Sequence, residues 1–203
     1  MVARTVSAYH RAGVAGLHIE DQIQTKRCGH LQGKVVVDTD VFVQRIAAAT
    51  HARQQIGSDL VIIARTDALQ THGFDEAVAR LKAAAQAGAD VAFLEGVTTA
   101  VEAREACRQL HPTPVLLNMV EHGATPSWTP AEAKELGFKI IIFPFASIGP
   151  AYNAIKDVFV RIKETGSTGL EKEFTPKKLF TVVGLEQAME IDAKVGGSMY
   201  KKV

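Results

Sequence analysis

The sequence predicts a parallel α/β fold built from repeated βα units. Short apolar runs alternate with amphipathic stretches, the pattern of parallel strands joined by crossover helices. A glycine lies where a helix should end just before a strand, as in Ala87-Gly88-Ala89-Asp90 and Leu136-Gly137-Phe138-Lys139. Several apolar runs close on a polar side chain, and the polar groups of parallel α/β barrels collect at the carboxyl ends of the strands. Together these features predict the repeating units of one barrel rather than separate domains.

The individual elements follow from this alternation. Five strands are predicted, at residues 16–20, 60–65, 91–95, 115–118 and 139–143, with helices between them at 41–56, 74–87, 100–110 and 130–136. Asp40 and Thr99 are expected to cap the helices that follow them. Gly57, Gly88 and Gly137 stand where helices should stop. The first six residues are expected to lie within the helix that precedes the first strand.

The last third of the chain is predicted to be helical. A long helix at 150–164 is interrupted by Gly-Ser-Thr-Gly at 166–169, and an amphipathic helix at 185–195 follows. The predicted division is therefore a partial βα barrel at 1–165 and a C-terminal helical segment at 166–203.

Composition excludes several classes of protein. A chain of 203 residues, 47% hydrophobic and 22% charged, is long enough for one soluble domain with a sizeable core. A net charge of +1 gives no overall field that would favour nucleic acid or a membrane surface. The apolar runs are too short to cross a bilayer, and the first residues lack the pattern of a secretory signal. Two cysteines are too few for a disulfide framework, so we expect a cytoplasmic protein.

One segment points to chemistry. In Lys26-Arg27-Cys28-Gly29-His30 a thiol is flanked by two cations and an imidazole, and nearby positive charge favours the thiolate. Gly29 suits a mobile loop. A few residues earlier, Glu20 and Asp21 follow an apolar run, so their carboxylates are expected at the tip of a strand. This combination suggests chemistry on a small anionic molecule.

The same region resembles a known family. The ten residues Gly-Val-Ala-Gly-Leu-His-Ile-Glu-Asp-Gln at 13–22, followed by Lys-Arg-Cys-Gly-His-Leu at 26–31, are similar to the signature of the isocitrate lyase/phosphoenolpyruvate mutase superfamily. Members with this cysteine motif cleave carbon–carbon bonds: isocitrate lyase, methylisocitrate lyase, dimethylmalate lyase and oxaloacetate hydrolase. The large insertions of isocitrate lyases are missing between these strands. The resemblance therefore favours the short-chain branch, which includes oxaloacetate hydrolase and methylisocitrate lyase.

The resemblance implies a fold and a function. The fold would be a (β/α)8 barrel of which this chain carries the last five βα units, followed by C-terminal helices that exchange between the subunits of a homotetramer, a dimer of dimers. The function would be Mg²⁺- or Mn²⁺-dependent carbon–carbon cleavage of a small 2-hydroxy or 2-oxo dicarboxylate, without nucleic-acid or membrane partners. One alternative is an inactive shortened chain that associates with full-length subunits. A second is a phosphonomutase or carboxyphosphonoenolpyruvate mutase activity.

The resemblance also indicates what this chain lacks. The family's first three strands, with the Asp-rich motif that holds the metal, would lie upstream of Met1. The only substitutes in the sequence are Asp38-Thr39-Asp40 and Asp67, and neither is followed by the expected glycine–aromatic turn. Five strands would leave two sheet edges with unpaired backbone groups, which favours aggregation or pairing with another chain.

The resemblance gives two residues of the active-site motif a chemical role. Cys28 would protonate the enolate released by bond cleavage; the alternative is a buried cysteine that only packs. Glu20 would be the remaining metal ligand of this chain, or else a strand-end residue in a salt bridge. His30 would hold the thiol or contact the substrate carboxylate, and Gly29 belongs to the implied substrate-binding set. No zinc site is expected from His18 and His30, which stand at no ligand spacing.

Residues of later strands complete the implied site. Arg65 is the expected carboxylate clamp, because a guanidinium meets a carboxylate with two parallel hydrogen bonds; its alternative is an ion pair with Asp67. Glu95 would position the loop of the cysteine motif or shuttle protons. Asn118 and Thr125 would bind the second carboxylate, although such Asn- and Gly-Pro-containing segments are also ordinary turns. Cys107, on an amphipathic helix, is expected only to pack.

Overall fold

The computed structural model describes residues 1–29, 31–170 and 174–199. Strands and helices alternate along this part of the chain. The strands are β1 (Gly16–Glu20), β2 (Val61–Thr66), β3 (Val91–Leu94), β4 (Val115–Asn118) and β5 (Ile140–Ile142). The helices are α1 (Val2–Arg11), α2 (Thr39–Gln55), α3 (Leu69–His72), α4 (Phe74–Gln86), α5 (Ala100–Leu110), α6 (Pro130–Leu136), α7 (Ile148–Thr165), α8 (Pro176–Val182) and α9 (Leu185–Lys194).

The five strands form one parallel sheet in chain order, which makes a half-barrel. Short strands can pair in this way because each crossover contains a helix that covers the outer face of the sheet. Within the described residues, β1 and β5 each have a single neighbouring strand. The predicted parallel α/β fold and its two open edges are therefore confirmed.

The core lies between the sheet and the helices that cover it. Ile62 and Ala64 of β2 are buried against helical residues such as Phe42, Ile46 and Leu81. Successive side chains of a strand point to opposite faces, so the alternate residues of β2 lie on the concave face of the half-barrel. A smaller apolar cluster on that face contains Val91, Phe93 and Leu116.

Register and alternation place the predicted polar residues on the concave face. Glu20 pairs with Arg65, Arg65 with Phe93, and Phe93 with Leu116, which makes one row across four strands. Glu95 lies two residues beyond Phe93, so it falls on the same face. Asn118 lies two residues beyond Leu116 and shares that side as well. The sheet therefore brings residues that are far apart in sequence to one end of the concave face.

Most element boundaries match the predictions within two residues, with a few corrections. Asp38, not Asp40, is the N-cap of α2; the Asp40 carboxylate lies inside the first turn and accepts from the Val41 amide at 2.8 Å. The strand predicted to include Glu95 ends at Leu94, so Glu95 belongs to the following loop. The short helices α3 and α8 were not predicted, because four and seven residues are too few to show an amphipathic period.

The predicted caps on later helices are present. The Thr99 hydroxyl accepts from the Glu102 amide at 3.1 Å at the start of α5. Gly137 ends α6 in the left-handed conformation, with φ of 109°. A Cβ at this position would also lie 2.8 Å from Cβ of Cys107. Both the backbone angle and the packing therefore require glycine there.

The chain divides into two compact units, Met1–Ala146 and Ser147–Val203. The described residues of helix α7 include none that are buried. The division into a partial barrel at 1–165 and a helical segment at 166–203 stays a prediction. The exchange of the C-terminal segment between subunits stays a prediction. None of the described helices is long and apolar enough to cross a membrane.

Candidate active site

A closed loop follows β1 and carries the cysteine motif. At its base Gln22 pairs with Val36 in an isolated antiparallel bridge. The Ile23 amide donates to the Val35 carbonyl at 3.1 Å, and the Val37 amide donates to the Asp21 carbonyl at 2.8 Å. Because both ends of the loop are fixed to one another, the residues between them project together from the end of the sheet.

Arg65 stands at the centre of the site among three carboxylates. Its Nη2 lies 3.2 Å from Oδ2 of Asp67 and 3.1 Å from Oε2 of Glu95, and its Nε lies 3.6 Å from Oε2 of Glu20. The guanidinium carbon is 5.1 Å from the centroid of the Phe93 ring, a cation–π distance. The ion pair with Asp67, which the sequence left open as an alternative, is thus formed. It does not exclude a clamp, because a guanidinium has five donors.

Glu20 is held by cations on the concave face. Lys26 forms an ion pair with Oε1 of Glu20, and Arg65 approaches the other oxygen. Arg45 of α2 donates to the backbone carbonyls of Glu20 at 2.9 Å and Gln22 at 2.8 Å. The salt-bridge alternative for Glu20 is therefore present in the structure. A metal ion at this carboxylate would have to compete with the Lys26 ammonium.

Glu95 and Gly29 are in direct contact. Glu95 is buried, and a Cβ added to Gly29 would lie 2.7 Å from its Cγ and 2.6 Å from Nη2 of Arg65. Nδ2 of Asn118 lies 3.3 Å from Oε2 of Glu95. Oδ1 of Asn118 is buried without a hydrogen-bond partner among the described residues. The loop backbone therefore rests on the Arg65–Glu95 pair, and any side chain at residue 29 would require the loop or this pair to shift.

Cys28 is exposed, so the alternative of a buried packing cysteine is wrong. It lines a cavity of about 270 Å³ together with Gly29, Arg65, Glu95 and Asn118. The remaining lining residues are Lys26, Arg27, Val120, Pro144 and Phe145. The cavity is large enough for a molecule of a few heavy atoms, and it combines a thiol with cationic and amide groups.

Cys107 behaves as predicted. It is partly buried and packs against the main core from α5. Burial raises the pKa of its thiol to about 11, which keeps it protonated and unreactive at neutral pH. The two cysteines are therefore chemically distinct.

A second cavity of about 260 Å³ adjoins the first. It is lined by His18, Glu20, Lys26 and Arg65, and the last two also line the cavity of Cys28. His18 lies on the exposed side of β1 with its ring centroid 5.7 Å from that of Phe93. Partial desolvation and the nearby Arg65 guanidinium lower the pKa of its imidazole, so His18 adds no charge here at neutral pH.

Buried polar residues lie beneath the site, among them Asp21, which the sequence analysis expected at the tip of the first strand. Asp21 accepts from the Thr66 hydroxyl at 2.5 Å and from the Asp67 amide at 2.9 Å, and it lies 3.3 Å from Nη1 of Arg80. Burial raises the pKa of the Asp21 carboxyl, against the opposing effect of these hydrogen bonds. Lys34, which the sequence analysis missed, is buried and pairs with Asp67. No periodicity or motif marks Lys34 as part of the site.

Two predicted site residues, Thr125 and His30, are not among those that the structure brings together. Thr125 is buried in the loop after β4, and no described hydrogen bond or ion pair connects it to Asn118 or Arg65. His30 lies outside the described residues. The structure brings together Glu20, Cys28, Gly29, Arg65, Glu95 and Asn118.

The described residues do not by themselves form a metal site. No group of three or more His, Cys, Asp or Glu side chains among them is arranged to hold an ion. Lys26, Lys34 and Arg65 are each paired with a carboxylate of Glu20, Asp67 or Glu95. Arg27, which also lines the cavity of Cys28, adds one positive charge. A single excess positive charge neutralises a dicarboxylate dianion only in part.

Known proteins match the chain over nearly its whole length. The phosphoenolpyruvate phosphomutase family matches residues 1–163. The 2-methylisocitrate lyase of Aeropyrum pernix is 39% identical over 196 residues, which cover 96% of this chain and 62% of that protein. A crystal structure of 2,3-dimethylmalate lyase superposes with a TM-score of 0.96 at 60% identity, covering 100% of this chain and 67% of the other.

An oxaloacetate acetylhydrolase bound to the inhibitor 3,3-difluorooxalacetate is also similar. Its TM-score is 0.94 at 51% identity, and the match covers 98% of this chain and 67% of that one. This chain spans 62% of the length of the lyase from Aeropyrum pernix, which is less than two thirds. These matches establish homology and a shared fold over the five βα units and the helices that follow.

Proposed function

Because this chain belongs to the phosphoenolpyruvate mutase/isocitrate lyase superfamily, we propose that the protein cleaves a carbon–carbon bond in a small 2-hydroxy or 2-oxo dicarboxylate. The carrying observation is the cavity in which exposed Cys28 faces Arg65, Glu95 and Asn118. The similarity to 2,3-dimethylmalate lyase and oxaloacetate acetylhydrolase supports the short-chain branch, with an oxaloacetate, methylisocitrate or dimethylmalate type of substrate. We place the enzyme in the cytoplasm.

Arg65 is proposed to bind one substrate carboxylate. Its side chain is 14% exposed and borders both cavities. Its Nε is buried, lies 3.6 Å from Oε2 of Glu20 and has no hydrogen-bond partner among the described residues, so a carboxylate bound through this donor would displace Glu20. Two parallel N–H donors would fix the orientation of a carboxylate as well as its position.

Cys28 is proposed to act as the proton donor. As the carbon–carbon bond breaks, the substrate hydroxyl (or that of the hydrate of a 2-oxo acid) loses its proton to solvent and becomes the carbonyl of one product. The bonding electron pair leaves with the other product as an enolate, and the Cys28 Sγ–H proton is transferred to its carbon. The resulting thiolate remains in the cavity that Lys26 and Arg27 also line. Glu95 is proposed to support the Cys28 loop through its contact with Gly29.

A divalent metal, Mg²⁺ or Mn²⁺, is the cofactor that the family implies. When bound, such an ion supplies the positive charge that stabilises the developing enolate. Glu20 is the one metal ligand proposed in this chain, and an added cation would complete the neutralisation of a dicarboxylate that the side chains here neutralise only in part. The described residues alone do not fit it, so its remaining ligands would come from outside them.

Replacing Arg65 with lysine is expected to weaken dicarboxylate binding by about 1–3 kcal/mol, because the charge is kept but the planar two-pronged donor is lost. The effect on a monocarboxylate analogue should be smaller. Binding is measured by calorimetry with oxalate and acetate, in a protein that also carries the family's first three strands.

The matched control is Arg45→Lys, since the hydrogen bonds of Arg45 among the described residues go to backbone carbonyls of Glu20 and Gln22 and Arg45 lines neither cavity. It should leave both affinities nearly unchanged. Equal losses for the two ligands in Arg65→Lys would show that Arg65 is structural.

The 203-residue chain alone is expected to show no Mg²⁺-dependent cleavage. Mg²⁺ usually needs one or two well-placed carboxylates together with substrate oxygens, and Glu20 is already paired with Lys26. The assay uses isocitrate, methylisocitrate, dimethylmalate, oxaloacetate and phosphonopyruvate with about 5 mM Mg²⁺, to populate even a weak site. Robust cleavage would mean that the metal site has been misplaced.

The second candidate function is association with full-length subunits. It is favoured by the open edges of β1 and β5 and by large exposed apolar side chains on the C-terminal helices, including Ile155, Phe159 and Ile191. The homotetrameric assembly is proposed on the same grounds. Light scattering of the chain alone and mixed with a full-length relative distinguishes a soluble monomer from co-assembly.

A further inference from the structure

One buried carboxylate joins the cysteine loop to the substrate clamp. The Asp67 side chain is 0% exposed and has three cationic or amide partners. They are Lys34, with Nζ 3.2 Å from Oδ1, Gln22, with Nε2 2.9 Å from Oδ2, and Arg65, with Nη2 3.2 Å from Oδ2. Asp67 also follows β2 directly, so its backbone is fixed to the sheet.

Two of these partners continue to the loop backbone on either side of Cys28. Lys34 donates to the carbonyl of Gly29. Gln22 donates to the Arg27 carbonyl at 3.0 Å, and its Oε1 accepts from the Arg27 amide at 2.9 Å. The backbone groups immediately before and after Cys28 are therefore held by side chains that are themselves anchored at Asp67.

The energetic character of this arrangement argues for a positioning role. The Lys34 side chain is 1% exposed, and a buried ion pair seldom stabilises a protein more than a well-packed apolar pair would. A buried network whose donors and acceptors are satisfied instead selects one arrangement of its members. Here the network joins the loop that carries Cys28 to the Arg65 side chain. Catalysis depends on the relative position of such groups, so a network that fixes this position favours turnover.

We infer that Asp67 is a positioning residue, which acts through Lys34 and Gln22 to hold the Cys28 loop in register with Arg65. Asp67 itself lines neither cavity. The inference rests on the proposed function for the roles of Cys28 and Arg65. The dependence of loop order on this buried carboxylate can be tested even in a protein that shows no turnover.

Hydrogen exchange of backbone amides, resolved to peptides by mass spectrometry, tests this dependence. In Lys34→Met the peptides covering 22–29 are expected to exchange about tenfold faster, because local opening no longer breaks a buried ion pair. Peptides from β2, β3 and β4 should exchange as in the control variant. Unchanged exchange across 22–29 would overturn the inference.

The control is Arg53→Met, which removes an arginine–aspartate contact elsewhere. Arg53 also pairs with an aspartate, Asp90, and donates to a backbone carbonyl, that of Leu60 at 3.1 Å, but it lies at the opposite end of β2. This pair is more exposed, at 17% and 40% for its two side chains against 1% and 0% for Lys34 and Asp67, so its loss should destabilise the protein less. Exchange of the sheet peptides in each variant measures this general destabilisation. The same acceleration of 22–29 relative to the sheet in both variants would overturn the inference.

Asp67→Asn provides a second variant if Lys34→Met does not fold. It keeps the side-chain volume but offers one acceptor oxygen to the donors of Lys34, Gln22 and Arg65. Faster exchange across 22–29 at unchanged exchange of the sheet supports the positioning role, and wild-type exchange overturns it. Since no variant needs to be active, a failure of the proposed chemistry would be distinguishable from a failure of this inference.

Discussion

Replacing Cys28 with serine is expected to lower dicarboxylate cleavage by about 10²–10⁴-fold while leaving the fold almost unchanged. The thiol is exposed on a loop, so its removal deletes little packing. A cysteine thiol has a pKa of about 8.5, whereas a serine hydroxyl is a far weaker acid and cannot donate its proton readily at neutral pH. The measurement is turnover of the best substrate in a protein that carries the family's first three strands, together with thermal unfolding.

Cys107→Ser is the matched control for this prediction. It makes the same atomic change at a thiol that packs against the core, so it should lower the melting temperature and leave turnover nearly intact. The two variants therefore separate chemistry from packing. A near-native rate for Cys28→Ser would remove Cys28 from the mechanism.

Replacing Gly29 with alanine is expected to lower turnover by about 10²-fold, because it displaces the loop that carries Cys28. The added methyl group would lie 2.6 Å from Nη2 of Arg65 and 2.7 Å from Cγ of Glu95, well inside van der Waals contact. Either the loop lifts or the ion pair of Arg65 and Glu95, now 3.1 Å apart, separates. Overpacking of this kind costs about 1–3 kcal/mol of stability.

Gly149→Ala provides the corresponding control, since a Cβ there meets no atom within 4 Å. It should change neither turnover nor stability appreciably. Turnover of Gly29→Ala is measured beside the exchange of loop amides, which should accelerate if the loop has lifted. Wild-type turnover would mean that the loop does not need its contact with Glu95.

The repeating βα architecture could be predicted because its signals are local. β1 and β4 begin and end at the predicted residues, as do α5 and α6. The apolar runs, the glycines after helices and the Thr99 cap are all read from neighbouring positions along the chain. The cap of α2 was misassigned because Asp38 and Asp40 both fit the pattern, and only the backbone angles distinguish them.

The gathering of Glu20, Arg65 and Glu95 could also be foreseen, since each closes an apolar run and parallel strands present such residues at one end. Which of them would contact one another could not. Arg65 meets three carboxylates and Glu20 is shared with Lys26, and both facts depend on strand register and on the path of the loop.

The sequence by itself determined the parallel α/β class, the order of the strands along the chain, the family and the candidate chemistry, because each depends on residue types at short spacing. Only the tertiary structure decided that Cys28 is exposed, that Gly29 must be glycine, and that Lys34 and Asp67 underlie the loop. These features arise from contacts between residues distant along the chain. The periodicity of apolar residues along the sequence does not indicate such contacts, because their energy comes from burial and geometry that exist only after folding.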